Sequence, residues 1–166
     1  MNQPRAHDGP GPELASTPSS SRAQTDMPAN DRPIEAPRPT PDAAPFWEAA
    51  NEGRLLIKHC AECDRMHYPP RPFCPHCFSA SARWHECTGK GTLYAYSVVR
   101  RTEIPYAMAY VRLAEGPIMM TNIVDTPFGA LRADMDVQVV FKASVNGQLI
   151  PMFKAASPIP QPGDTA

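Results

Sequence analysis

The sequence contains no segment that is expected to enter a membrane. Nowhere among its 166 residues does an apolar run approach the roughly 18 consecutive residues of a membrane-spanning helix. The first residues lack the basic region and apolar core of a signal peptide. The formal net charge of -1 provides no field that would attract nucleic acid or an anionic membrane. We therefore expect a soluble cytoplasmic protein, and in that compartment closely spaced cysteines bind metal more often than they form disulfides.

The sequence also lacks the residue patterns of common catalytic sites. It shows no Ser-His-Asp arrangement, no carboxylate pair at a plausible site and no glycine-rich loop that leads into a helix to hold phosphate. Cys87 is the one candidate nucleophile, with His85 two residues before it on the same face of a predicted strand. A small buried apolar side chain is the simpler interpretation of Cys87. We predict no catalytic residue, and hence a protein that is not an enzyme.

Large apolar side chains are almost absent from residues 1–41. Ten of the 21 prolines lie between Met1 and Pro45, among Ala, Ser, Thr and Asp. Such a segment cannot bury enough surface to offset the entropy of ordering it. We predict a disordered tail over residues 1–41, either without function or serving as a tether to a partner, and a second disordered tail over residues 155–166.

A short amphipathic helix is predicted over residues 42–54. Asp42 can act as its N-cap, Pro45 is tolerated in the first turn, and Gly53 can end the helix in a left-handed conformation. An apolar stripe with i, i+3, i+4 spacing starts at Phe46.

The rest of the chain has the composition of β-strands. Alternating segments rich in β-branched and aromatic side chains are separated by turn residues, such as Gly-Lys-Gly at 89–91 and Asn-Gly at 146–147. One helical turn is predicted at 129–135. Five or so strands with one short helix over residues 89–154 favour a small Greek-key barrel of the OB type, with a small sandwich as the alternative. The predicted strands are 55–59, 82–88, 92–100, 106–114, 118–124, 137–142 and 149–154.

Four of the five cysteines form two Cys-x-x-Cys pairs with ten residues between them. Each pair can fold into a knuckle whose backbone amides turn toward the sulfur atoms, and two facing knuckles place four thiolates at the tetrahedral positions that suit Zn²⁺. We predict one structural zinc ion per chain, in a ribbon over residues 55–88. Rubredoxin-like iron and a thioredoxin-type dithiol are the alternatives. The predicted ligands are Cys60, Cys63, Cys74 and Cys77.

The order of these motifs resembles that of one known family. The chain contains FWEAANEGRL, then Cys-x-x-Cys, YPPRPFCPHC, GKGTLYAYSVV, PYAMAYVRLAEG and TNIV. This pattern resembles the DUF35 family of zinc-ribbon and OB-fold proteins over about residues 43–154. The resemblance implies a mostly β fold with a short N-terminal helix, a rubredoxin-like zinc ribbon and a small OB-fold β-barrel. Phe78 departs from the pattern, because many members have glycine after the fourth cysteine.

The resemblance implies an accessory role in acyl-CoA metabolism, in pathways such as those of lipids, sterols or aromatic acids. Family members typically assemble with thiolase-like enzymes, sometimes with MaoC-like hydratases of the hot-dog fold, and they generally lack catalytic residues. We therefore expect a hetero-oligomeric subunit that binds acyl-CoA, bridges to such an enzyme, or does both.

Four residues at family positions are candidates for binding the acyl-CoA. Arg54 and Arg71 could pair with the phosphates of CoA. Phe46 and Trp47 could form an apolar wall beside it. Surface solvation of the two arginines and core packing of the two aromatic rings are the alternatives.

A nucleic-acid-binding OB domain is the alternative function. Such domains combine stacking aromatic rings with a basic groove. Residues 46–166, however, contain twelve Lys and Arg against eleven Asp and Glu. Binding to phosphates requires several net cations on one face, so we expect no nucleic-acid partner. The candidate residues for that function are Tyr94, Tyr96, Arg100 and Arg101.

Overall fold

The computed structural model describes residues 32–157, which form one short helix, a three-stranded sheet and a closed barrel. The mostly β fold predicted from the sequence is confirmed. Within the described residues, no helix is long and apolar enough to cross a membrane. The helical elements are a 3-10 turn at Pro41–Ala43, the helix α1 at Ala44–Asn51 and a 3-10 turn at Phe128–Ala130. The strands are β1 (Leu56–Cys60), β2 (Arg65–His67), β3 (Ala82–Glu86), β4 (Lys90–Val99), β5 (Tyr106–Leu113), β6 (Ile118–Ile123), β7 (Asp136–Ala143) and β8 (Leu149–Ala155).

The predicted tails lie mostly outside the described residues, namely at 1–31 and 158–166. Of residues 32–40, which the sequence assigned to the first tail, Arg32 and Ile34 contact the rest of the protein. The backbone carbonyl of Ile34 accepts a hydrogen bond from the backbone N–H of Val145, with an N···O distance of 2.9 Å. Ile34 is also half-buried. Composition does not indicate such contacts, because one apolar side chain and one backbone hydrogen bond can hold a short segment on a surface that is already folded.

The helix α1 begins in a different way from the prediction. Asp42 lies inside the 3-10 turn that runs directly into α1, so Ala43 takes the N-cap position and no side chain caps the helix. The predicted N-cap was wrong, because a capping side chain needs an extended backbone before the helix. Pro45 lies in the first turn, and Gly53, with a φ of 75°, follows the helix in the left-handed region, as predicted.

The strands β2, β1 and β3 form an antiparallel sheet in that order. Cys60, at the end of β1, pairs with Arg65 on one side and with Ala82 on the other. The sequence did not predict β2, because its three residues lie in the loop between the cysteine pairs and are too few to show an alternation. This sheet holds the first cysteine pair at its end.

The strands β4 to β8 close into a barrel in the order β4-β5-β6-β8-β7. Neighbouring strands are antiparallel, except that β6 and β8 pair in parallel through Ile123 and Phe153. The barrel closes where β7 pairs with β4, with Val137 opposite Gly91. Gly91 is required at this point, because a Cβ atom there would lie 2.7 Å from the carbonyl oxygen of Arg112.

The helical turn predicted at 129–135 is shorter and starts earlier than expected. It ends at Ala130, and the chain is extended at Leu131 (φ -69°, ψ 131°). The following segment hydrogen-bonds to β4 instead: the N–H of Leu93 donates to the carbonyl of Met135 at 2.9 Å, and the N–H of Asp134 donates to the carbonyl of Leu93 at 2.8 Å. A helix would use these backbone groups within itself, so the pairing with β4 prevents one.

One hydrophobic core connects the helix, the ribbon and the barrel. Phe46 from α1, Ile57 from β1 and Cys87 just after β3 belong to the same buried cluster as the barrel residues Leu93 and Phe153. The helix and the ribbon are therefore packed against the barrel, and this packing positions the side chains that lie between them.

Candidate functional site

The sulfur atoms of all four predicted zinc ligands lie close together. The Sγ atoms of Cys60, Cys63, Cys74 and Cys77 are within 4.8 Å of one another. The Cys60–Cys77 and Cys63–Cys74 pairs each have an Sγ···Sγ distance of 3.6 Å. A tetrahedral site with Zn–S bonds of about 2.3 Å has S···S edges of about 3.8 Å, so the sulfur atoms already have nearly the spacing that zinc requires. The protein fills all four positions, as in structural zinc sites.

Backbone amides polarise this cysteine cluster. The N–H of His76 points to the Sγ of Cys74 at 3.4 Å. Burial opposes ionisation of Cys74, but the backbone amides of His76 and Cys77 lower its pKa to about 6. Burial and the neighbouring thiols raise the pKa of Cys63 to about 12. A zinc ion would stabilise all four thiolates with its own charge, and its binding would release the remaining protons.

Cys87 lies apart from the four clustered cysteines and within the hydrophobic core. Its backbone N–H donates to the carbonyl of Leu55 at 2.8 Å, and its side chain is part of the core. Burial, and after it the nearby carboxylate of Glu115, raises the pKa of Cys87 to about 12. Within the described residues no hydrogen bond joins His85 to this thiol. A buried, protonated thiol is inert at neutral pH, which agrees with its interpretation as a small apolar residue.

A cavity of about 380 Å³ lies where α1, the ribbon and the barrel meet. Phe46 and Trp47 of α1 line one side, with their ring centroids 4.9 Å apart and their planes nearly perpendicular. Tyr68, just after β2, lies 5.9 Å from the ring of Phe46, and burial raises its pKa. The barrel strands supply the opposite wall. That wall includes four methionines: Met108, Met119, Met120 and Met152.

The structure brings two of the four candidate ligand-binding residues to this cavity. Phe46 lines it but is only 3% exposed and belongs to the core, so the ring also has a packing role. Trp47 is half-buried, and its backbone carbonyl accepts a hydrogen bond from Nε2 of Gln148 at 3.0 Å. That bond ties α1 to the turn between β7 and β8.

Neither Arg54 nor Arg71 is among the residues that line the cavity. Arg54 forms salt bridges with Glu52 and with Glu86, the latter at 3.1 Å, and these carboxylates raise its pKa. Each of its three guanidinium nitrogens donates one hydrogen bond to these carboxylates. Arg71 is exposed in the segment that leads to the second cysteine pair.

Sequence reasoning missed the methionine wall and one cation. Arg32 lines the cavity, with its guanidinium carbon 4.1 Å from the ring centroid of Tyr106. Alternation along β5 and β6 could have shown that Met108 and Met120 point out of the barrel. No local signal shows that α1 lies beside them, because that contact depends on the packing of distant segments.

An apolar patch extends from the cavity over the outer side of β5 and β6. Tyr110 and Met120 are directly opposite each other on the two strands and are 45% and 58% exposed. Met108 and Ile118 lie two residues from them on the same side and are also exposed. We call Met108, Tyr110, Ile118 and Met120 the outer apolar face.

The residues proposed for stacking on nucleic acid already have partners within the protein. The hydroxyl of Tyr96 donates to the carbonyl of Leu131 at 2.7 Å. The guanidinium carbon of Arg112 lies 5.0 Å from the ring centroid of Tyr94. Arg100 and Arg101 are exposed after β4. This arrangement does not favour a stacking platform beside a basic groove.

Known proteins share both parts of this architecture. A family model described as the rubredoxin-like zinc ribbon domain of ChsH2 matches residues 47–81, and one described as the C-terminal OB-fold domain of ChsH2 matches residues 84–142. A DUF35 domain-containing scaffold protein of Methanocaldococcus jannaschii is 31% identical over 105 residues, which are 58% of this chain and 74% of the relative. The chain belongs to the DUF35 family. The zinc-ribbon match and the sulfur cluster together confirm the predicted structural zinc site of this DUF35 protein.

Other relatives of this DUF35 protein extend the comparison. The solved Ltp2-ChsH2(DUF35) aldolase has a chain of 33% identity and a TM-score of 0.66, covering 74% of this chain and 100% of its own. A DUF35 protein from Sulfolobus solfataricus, 16% identical with a TM-score of 0.53, shares the fold over 69% of this chain and 85% of its own. The "Probable enoyl-CoA hydratase alpha subunit" of Thermomonospora curvata is 35% identical over 133 residues, 75% of this chain, but the match spans only 42% of that relative.

Proposed function

We propose that this DUF35 protein is a non-catalytic accessory subunit that binds an acyl-CoA and holds it for a partner enzyme. The cavity between α1, the ribbon and the barrel is the observation that carries this proposal. Its volume of about 380 Å³ lies within the range of small-molecule sites, roughly 300–1,000 Å³. We assign the protein to the cytoplasm, because its zinc site requires reduced cysteines.

The lining of the cavity matches the chemistry of an acyl group. Phe46 and Trp47 offer flat apolar surfaces, and Met119 and Met152 are buried thioether side chains that can adapt to the shape of a ligand. Each methylene that is buried contributes about 0.8 kcal/mol. An acyl chain of six buried methylenes would therefore gain about 5 kcal/mol before the cost of ordering the ligand is subtracted.

The outer apolar face supports an assembly with a partner. Contiguous exposed apolar patches are uncommon on monomers, and Tyr and Met are enriched at interfaces. Met108 and Met120 belong both to this face and to the cavity lining, so a docked partner would lie next to the bound acyl-CoA. Relatives named as scaffold proteins and as part of an aldolase support this role.

The partner enzyme belongs to one of two classes. One is a thiolase-like subunit. The other is a MaoC-like hydratase, which is favoured by the name of the Thermomonospora curvata relative. The catalytic groups belong to the partner in either case, because four sulfur ligands close the zinc site and Cys87 is buried and protonated.

Tryptophan fluorescence tests the binding of ligand directly. The chain has two tryptophans, and Trp47 lines the cavity whereas Trp84 lies on β3 with Lys58 against its ring. In a Trp84→Phe variant, titration with octanoyl-CoA should change the emission of Trp47 in a saturable way. In the matched Trp47→Phe variant the same titration should leave the emission unchanged. Absence of both a Trp47 response and a calorimetric signal would refute the proposed ligand.

Affinity purification from the native host tests the partner. Wild-type protein should retain a thiolase-like or MaoC-like subunit, and Met120→Asp should lose it because a charge on the outer apolar face would be desolvated by docking. Val145→Asp is a matched control, since Val145 is 66% exposed on the turn between β7 and β8. Equal recovery with Met120→Asp would remove this face from the interface, and recovery of neither enzyme class would refute the partner.

A further inference from the structure

The segment of residues 32–37, which we call the strap, contacts Tyr106 and Val145 and contributes Arg32 to the lining of the cavity. The carbonyl of Ile34 is hydrogen-bonded to the N–H of Val145 at 2.9 Å, and Ile34, Ala36 and Pro37 are half-buried. Pro33 and Pro37 each fix one backbone angle, which lowers the entropy lost when the segment is held in place. The zinc-ribbon match begins at residue 47, so the strap lies outside the regions that the two family models share with this chain.

The strap places a cation at the cavity. The guanidinium carbon of Arg32 lies 4.1 Å from the ring centroid of Tyr106, and both residues line the cavity. Stacking on the ring positions the guanidinium through a cation–π contact. A cation–π contact uses the face of a guanidinium group, whereas its five N–H donors lie in its plane.

Charge distinguishes Arg32 from the other lining residues. Among residues 32–157 it is the one charged residue that lines the cavity, and no carboxylate of these residues pairs with it. Arg54 is the contrasting case, since its guanidinium group forms salt bridges with Glu52 and Glu86. Among the described lining residues, Arg32 on the strap is therefore the cation that an anionic group entering this cavity would meet.

We propose that Arg32 binds the anionic group of the ligand whose apolar part fills the cavity. This inference rests on the proposed function, in which that ligand is an acyl-CoA. The anion is a phosphate of CoA or a carboxylate carried by the acyl group, since both present the oxygen pairs that a guanidinium edge binds with two parallel hydrogen bonds. Arg32 takes the role that the sequence assigned to Arg54 and Arg71.

Calorimetric titration of the full-length chain tests this proposal with three ligands. Octanoyl-CoA carries phosphates, octanoyl-pantetheine carries no anion, and suberyl-pantetheine carries only a carboxylate at the end of its acyl chain. We expect Arg32→Gln to weaken binding of an anionic ligand about tenfold, with no change for octanoyl-pantetheine. A selective loss for octanoyl-CoA identifies the phosphate, and a selective loss for suberyl-pantetheine identifies the carboxylate. Raising the salt concentration should weaken anion binding less in Arg32→Gln than in wild type.

Arg38→Gln is the matched control, because Arg38 is an exposed arginine six residues further along the chain and is not among the lining residues. It should bind all three ligands as wild type does. Equal affinities of wild type and Arg32→Gln for both anionic ligands would overturn the role of Arg32 while leaving the acyl-CoA site intact. If wild type binds none of the three ligands, the proposed function itself fails.

Discussion

Removal of the Phe46 ring should destabilise the whole protein and not only the proposed ligand site. The ring is 3% exposed, lies against Trp47 and Tyr68, and belongs to the core shared by α1, the ribbon and the barrel. Replacing a buried Phe with Ala typically costs about 3–5 kcal/mol. The ring borders an existing cavity, so its loss enlarges an open space and does not create a sealed void. We therefore expect Phe46→Ala to lower the free energy of unfolding by about 3 kcal/mol, near the lower end of that range.

Urea unfolding followed by circular dichroism, with zinc present, measures this loss. Glu48→Ala is the control on the same helix, because Glu48 is exposed and its replacement should change stability by less than about 0.5 kcal/mol. A loss below about 1 kcal/mol for Phe46→Ala would show that α1 is not anchored in the common core. The assignment of the ring to the common core would then be wrong.

Four further outcomes are expected. Cys63→Ser should reduce bound zinc below one ion per chain and expose residues 55–80 to protease, because three sulfur ligands hold the ribbon less well than four. Metal analysis and limited proteolysis check this, and Cys87→Ser is the control that should leave both results unchanged. Cys87 should resist iodoacetamide at pH 8 in the native protein and react in urea, as read by mass spectrometry, since burial raises its pKa to about 12. Above about pH 9 the unfolded chain loses the Cys87 proton before the folded protein does, so the free energy of unfolding should fall as pH rises. In urea unfolding, Cys87→Ser should show a smaller decrease of this free energy with pH. The purified chain alone should show no thiolase, hydratase or hydrolase turnover, and robust turnover that disappears in Cys87→Ala would contradict the accessory role.

The elements with local signals were predictable from the sequence. The spacing of the four cysteines indicates the zinc site, because knuckle geometry depends on residues two or three apart. Alternation indicates the strands of the barrel, which are long enough to show it. The strand β2 has three residues and shows no alternation. The helical turn predicted at 129–135 does not form over that range, because backbone groups of Asp134 and Met135 form hydrogen bonds with Leu93 of β4.

The composition of the cavity was not predictable, because it depends on contacts between distant segments. Arg54 was a candidate for ligand binding because it matches a family position, but Glu86, 32 residues away, reaches it only in the folded protein. Arg32 lay in a segment whose composition predicted disorder, and its place beside Tyr106 follows from a backbone hydrogen bond of Ile34 to a distant turn. Motif spacing carries no information about either contact.

The shared core has a consequence for how this protein can be divided. The two family models meet between residues 81 and 84, yet Phe46 and Ile57 on one side of that boundary pack in the same cluster as Leu93 and Phe153 on the other. A cut at the boundary would expose apolar surface on both fragments. Recombination or engineered fusion can therefore attach a partner enzyme outside this region, but the helix, the ribbon and the barrel must be transferred together. The unit of exchange is residues 44–155 as a whole.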